Sequence, residues 1–259
     1  MKRVLYFLFF VYFPVAAQEE IKTTLINEII LNADAFISVD NFGNTYYTKN
    51  NVFYKTNGTQ STSYNNLQLG SLYSVNTFNP LKTNLFYKDF NTVILLDNRL
   101  AEIFKIDFNT LVPYKNVSFI SAGYDNSLWI FNQDLQQLEL FDYKLKNSKV
   151  KTVPVQSSVL DLKSNYNYCW LLTENFLYQY NYFGRLIKKI KNNGFIAIAE
   201  NNDTIILKKE QSLFYLNENS DTIIPINTGN LFINDFFVIG ETLYIYTKET
   251  LHLFQLKTH

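Results

Sequence analysis

Imidazoles, thiols and paired carboxylates are the groups that most often carry acid–base, nucleophilic and metal chemistry. This chain is poor in the first two. Its histidines are His252 and His259, and its one cysteine is Cys169. His259 is the terminal residue and belongs to a chain end. His252 stands between Leu251 and Leu253, so on an extended strand it faces away from both, as a surface or hydrogen-bonded histidine does. That supply argues against a metalloenzyme and a histidine-dyad lactonase. A Ser-His-Asp triad would have to use His252, and no Gly-x-Ser-x-Gly turn is present to raise a nucleophile. No Gly-x-Gly-x-x-Gly phosphate loop occurs among the eight glycines. Neither a metal nor a cofactor is expected.

Carboxylates remain. A hydrolase or lyase needs acids that converge on one substrate, as in glycoside hydrolysis. Asp161 and Asp235 qualify as candidates because they interrupt otherwise apolar segments. The stretch Asp40-Asn41-Phe42-Gly43-Asn44 resembles a calcium loop, but Asn51 occupies the twelfth position where an acid belongs, and a plain turn is expected instead.

The elements that must position these residues are strands. The 259 residues are 47% hydrophobic and 17% aromatic, which excludes a disordered chain and supplies a full core. Phe, Tyr, Ile, Val and Thr dominate, 32 asparagines punctuate them, and no long segment has a 3.6-residue apolar period. Charges balance at 23 basic and 23 acidic residues, so no cationic surface for nucleic acid is expected. A lone cysteine excludes a disulfide framework; Cys169 lies in an apolar run and is expected in the core.

Residues 1–17 read as a signal peptide. Lys2 and Arg3 precede an apolar run from Val4 to Val15, and Val15-Ala16-Ala17 provides a small-residue cleavage site. No cysteine follows for a lipid anchor, and no later run is long enough to span a bilayer. The expectation is an exported protein, periplasmic or extracellular, with no membrane insertion after cleavage. Residues 18–259 then form one domain.

That domain is a repeat. Pairs of short apolar strands meet at tight polar turns, as in Tyr46-Tyr47-Thr48-Lys49-Asn50-Asn51-Val52-Phe53-Tyr54. Marking the turns by Asn50, Asp89, Asp134, Glu174, Glu210 and Glu249 gives steps of 39, 45, 40, 36 and 39 residues. A period near 40 with about four strands is that of a β-propeller blade. The predicted fold is all-β: one propeller of six blades. Innermost strands are expected at 36–39, 73–75, 118–121, 159–162, 195–199 and 232–238. Outer strands are expected near 61–67 and at 102–107, 149–155, 186–190 and 222–226. The sixth repeat lacks its fourth strand, and 23–31 is spare. Placed on the last blade, that N-terminal strand would close the ring and cover an open edge.

Five of the six turn markers are acidic and would ring one face: Asp89, Asp134, Glu174, Glu210 and Glu249. With Lys49, Asn50, Lys88 and Phe90 they form the candidate partner-binding set. Two readings stand: an acidic rim for a basic partner, or turns that favour acids and are offset by adjacent lysines. Phe90 is either an interface aromatic or a ring folded back on the protein. The expected innermost segments read Phe-Ile-Ser-Val, Phe-Ile-Ser-Ala and Phe-Ile-Ala-Ile, which favours a binding or scaffold propeller over an enzyme with a channel site. A glycan-binding module is the third possibility.

The stretches Phe36-Ile37-Ser38-Val39-Asp40-Asn41-Phe42-Gly43-Asn44-Thr45-Tyr46-Tyr47 and Asn79-Pro80-Leu81-Lys82 through Phe86-Tyr87-Lys88-Asp89-Phe90 resemble exported flavobacterial β-propeller proteins, a group that includes the plug-type periplasmic subunit of the type IX secretion translocon. The resemblance implies a non-catalytic cap with a protein partner in the cell envelope.

Overall fold

The computed structural model describes residues 19–217 and 220–257. The predicted signal segment and His259 lie outside them. The described residues contain 24 strands in six four-stranded antiparallel sheets, and no α-helix. The chain forms a six-bladed β-propeller.

Strand β1 (Thr23–Ile30) comes first and belongs to the last sheet. Blade 1 runs β2 (Ala35–Val39), β3 (Thr45–Lys49), β4 (Val52–Thr56) and β5 (Ser61–Tyr64). Blade 2 holds β6 (Ser74–Asn76), β7 (Thr83–Tyr87), β8 (Thr92–Leu96) and β9 (Glu102–Asp107). Blade 3 holds β10 (Val117–Ala122), β11 (Ser127–Asn132), β12 (Gln137–Asp142) and β13 (Asn147–Lys151). Blade 4 holds β14 (Val159–Ser164), β15 (Tyr168–Thr173), β16 (Phe176–Asn181) and β17 (Leu186–Lys191). Blade 5 holds β18 (Ala197–Asn201), β19 (Thr204–Lys209), β20 (Ser212–Asn217) and β21 (Thr222–Ile226). Blade 6 holds β22 (Asp235–Ile239), β23 (Thr242–Thr247) and β24 (Thr250–Leu256), with β1 as its fourth strand.

Strand β1 pairs with β24 from Thr23–Leu256 to Ile30–Thr250, with one irregularity between Leu25 and Asn27. Just upstream, Ile21 forms a parallel bridge with Ile226 on the outer strand of blade 5. The N-terminal segment therefore ties blade 5 to blade 6 before becoming part of the latter.

Some expected limits shift, each for a local reason. Strand β13 stops at Lys151 and does not run to Val155, because Pro154 has no N–H for the ladder. Strand β18 starts at Ala197, not Phe195: the Asn192 amide grips both the N–H and the C=O of Phe195 and holds that residue in the turn. Strand β22 starts at Asp235, because residues 227–234 form the connection from blade 5. The turn between β3 and β4 is Asn50-Asn51, both at positive φ, the geometry of a two-residue hairpin that matches strand twist.

Alternating side chains of each blade pack against both neighbours. Six apolar clusters result, one per blade interface. The interface between blades 6 and 1 has the fewest buried members: Phe36, Val39, Tyr246 and Leu251. Antiparallel order gives the disc two different faces. We call top the face with the turns between first and second and between third and fourth strands. The bottom face carries the turns between second and third strands and the blade-to-blade connections.

Candidate functional site

The channel acids come first. Asp161 lies on β14, and its Oδ2 accepts the backbone N–H of Ile198 on the next inner strand at 2.8 Å. Its Oδ1 accepts the N–H of Leu162 and lies 3.3 Å from Lys163 Nζ. Asp235 repeats the arrangement: its Oδ2 accepts the N–H of Phe36 on β2 at 2.9 Å. Burial holds the Asp235 carboxyl above the usual range, and the Phe36 N–H and the Lys208 ammonium only partly offset this. The structure does not bring the two acids together. Asp161 spans blades 4 and 5, and Asp235 spans blades 6 and 1, each fastening one inner strand to the next. A second set of polar links runs nearer the top: Ser38 to Thr77, Asn76 to Ser121, Ser121 to Ser164, and Asn165 to Glu200. These polar groups of the inner strands are engaged by neighbouring blades, whereas Ser118 Oγ on β10 is buried without a partner.

The turn residues all lie on the bottom face. Asn50, Asp89, Asp134, Glu174, Glu210 and Glu249 are exposed at equivalent turns of the six blades. They are spread around the disc, one per blade. Several turns are also tied to the connections beside them: Asp34 accepts the N–H of Asn50, and Asp134 accepts from Asn116 Nδ2 at 2.8 Å. Lys49 is half-buried at the end of β3. Lys88 places its ammonium 4.5 Å from the centre of the Tyr73 ring and 5.6 Å from that of Phe119. Phe90 lies against the backbone of Gly70, where a Cβ would come within 3.3 Å of its ring, yet the side chain remains 47% exposed. Both readings of Phe90 thus hold in part.

Large apolar residues accompany these turns on the connections. Leu67, Val112 and Val153 are 84%, 96% and 81% exposed. Tyr73 and Tyr114 on the same connections as Leu67 and Val112, and Ile196 and Phe232 on later ones, are also exposed, as is Leu135 beside Asp134. Sequence inspection fixed on the acids and missed these side chains. Their signal was the apolar residue inside each connection, for example Leu111-Val112-Pro113-Tyr114.

The remaining reactive groups are engaged within the fold. Cys169 is fully buried, and burial raises its thiol well above the usual range. His252 contacts Glu28 Oε1 through Nδ1 and Thr247 Oγ1 through Nε2, both at 2.8 Å, and so joins β24 to β1. Asp40 accepts from the N–H groups of Phe42 and Asn44 and from Tyr46 Oη, as a turn-forming aspartate.

The top face carries a different surface. Aromatic rings run across blades 2 to 4, with Phe78 edge-on to Tyr166 at 4.8 Å and Tyr166 followed by Tyr124 and Tyr182 at 6.3 Å steps. A cleft of about 210 Å³ lies beside them, between blades 2 and 3.

No protein-family model matches the chain, and no curated protein matches it in sequence. Solved structures match it by shape. A catalytically inactive virginiamycin B lyase from Staphylococcus aureus, solved with quinupristin, is similar at a TM-score of 0.62 and 12% identity, over 95% of this chain and 98% of that one. A chain of a mitotic checkpoint complex gives a TM-score of 0.59 and 10% identity, over 98% of both chains. The Pan2 WD40 domain of Neurospora crassa gives 0.58 and 9%, over 86% of this chain and 74% of that domain. At such identities the likeness shows the β-propeller fold alone.

Proposed function

We propose that this propeller is a non-catalytic binding subunit that docks a protein of the cell envelope on its bottom face. The observation that carries the reading is the set of large apolar side chains exposed on the blade connections, led by Leu67, Val112 and Val153. Scattered apolar exposure is ordinary, and the top-face turns also expose Phe42, Leu81, Leu145 and Phe183; the bottom face differs in carrying its most exposed apolar residues on three successive connections. The turn acids lie among them beside Lys49, Lys88, Lys209 and Lys248, so the surround is polar and carries charges of both signs. The engagement of Asp161 and Asp235 with backbone N–H groups supports the non-catalytic reading, since both acids are already occupied.

An exported location follows from the reading of residues 1–17, and a role as a cap on an envelope secretion pore follows from the resemblance given above. A flat disc with an apolar face suits such a cap. The test is affinity capture from the native envelope. Wild-type protein is expected to recover one partner in stoichiometric amount. Leu67→Ser/Val112→Ser/Val153→Ser is expected to lose it while keeping its thermal transition. Equal recovery by both proteins would end the bottom-face reading.

A further inference from the structure

The top-face cleft contains an unusual buried group. Along β7, Leu85 points into the interface of blades 1 and 2, so Asn84 and Phe86 turn toward blade 3. Phe86 fills the core there, and Asn84, one step nearer the top, lines the cleft. Asn84 is only 3% exposed. Its Nδ2 and Oδ1 are not among the closed-off polar atoms of the interior, so the amide opens onto the cleft that it lines. An amide held in the wall of a cleft can exchange water for the hydroxyls of a ligand.

We propose that this cleft is a carbohydrate subsite that takes one neutral sugar ring. Pockets that enclose drug-sized ligands measure about 300–1,000 Å³. At about 210 Å³ this cleft suits a single ring. The Asn84 amide offers two donors and an acceptor, the mixture that adjacent hydroxyls require. Asn79 adds a second amide, held by its Oδ1 on the N–H of Leu81 at 3.0 Å. Charge does not select an ion: Lys82 Nζ is fixed on the backbone carbonyl of Asp125 at 2.9 Å, and the Asp125 carboxylate lies on the same wall. Half-exposed Tyr124 and Tyr166 supply aromatic surface at the rim, their planes at 86°. Rings with apolar C–H faces and polar edges fit such a wall, and the rings beyond it leave room for a longer glycan.

The test is a printed array of purified mono- and oligosaccharides, followed by titration of the strongest ligand. Wild-type protein is expected to bind at least one neutral glycan. Asn84→Leu and Tyr166→Ala are each expected to weaken it about tenfold or more, the effect of losing one buried hydrogen bond or one ring contact. Lys105→Ala, on the outer strand of blade 2, is the unchanged control. Tyr166 is half-exposed, so its variant keeps the test valid if Asn84→Leu fails to fold. An array with no ligand above the Tyr166→Ala background would overturn the proposal. So would binding by both cleft variants as tight as that of the wild type. Neither result bears on the bottom face, where the protein partner is placed.

Discussion

The Asp235 carboxylate accepts the backbone N–H of Phe36 at 2.9 Å, joining the last inner strand to the first. It does so at the interface with the fewest buried apolar residues. Asp235→Ala leaves a buried N–H without a partner and is expected to cost about 1–3 kcal/mol. Asp235→Asn retains an acceptor and removes a buried charge. Because the folded-state carboxyl titrates above its unfolded value, the proton is held more tightly in the native protein. Its contribution to stability is therefore full at low pH and lost as pH rises through the folded value. Urea titrations at several pH values should show that slope in the wild type and a flatter one in Asp235→Asn.

The N-terminal strand should act as part of blade 6. Tyr246 Oη lies 3.0 Å from the carbonyl of Leu31 and 2.8 Å from that of Ala33, anchoring the turn that leads out of β1. Deleting residues 19–31 exposes β24 as an open edge and removes that anchor. The shortened protein is expected to melt at lower temperature and to aggregate, while Tyr246→Phe loses about 1–2 kcal/mol. Calorimetry and light scattering measure both. A deletion with an unchanged transition would show that the ring is held by its apolar interfaces alone.

A buried ion pair fixes blade 3. Lys115 Nζ is 2.5 Å from Glu139 Oε2, and Asn132, Gln137 and Ser148 complete the shell of the same carboxylate. Burial raises the Glu139 carboxyl, but these donors outweigh burial and leave it below the usual range. Its stabilising contribution is thus present above the unfolded value and disappears as pH falls through the folded one. Lys115→Met strands the charge and should cost about 3–5 kcal/mol near neutral pH. Denaturant midpoints of the variant and the wild type should converge as the solution is acidified.

Cys169 should behave as a core atom. It is fully buried and its thiol is shifted away from the thiolate. Iodoacetamide is expected to leave it unmodified in the folded protein and to alkylate it in denaturant, as mass spectrometry would show. Rapid native labelling would mean that blade 4 opens locally.

The blade architecture was legible because it is written twice, in the period-2 apolar runs and in the spacing of the turns from Asn50 to Glu249. The place of the segment 23–31 beside β24 was also legible, since β24 otherwise lacked an outer neighbour. Strand ends were less so: the grip of Asn192 on Phe195 is a tertiary detail with no periodic signature. The roles of Asp161 and Asp235 were hidden for a related reason. An acid in an apolar strand looks the same whether it faces a substrate or a neighbour's backbone, and only the angle between blades decides. The cleft was hidden as well, because Asn79, Asn84 and Tyr124 belong to two repeats that the ring sets side by side.

Site-specific photocrosslinking in the native envelope tests the docking face most directly. A photoreactive residue replacing Val112 or Val153 should capture the same single protein, and one replacing Leu145 on the top face should not. Capture of that protein from Leu145 alone, or no capture from either connection, would contradict docking on the bottom face.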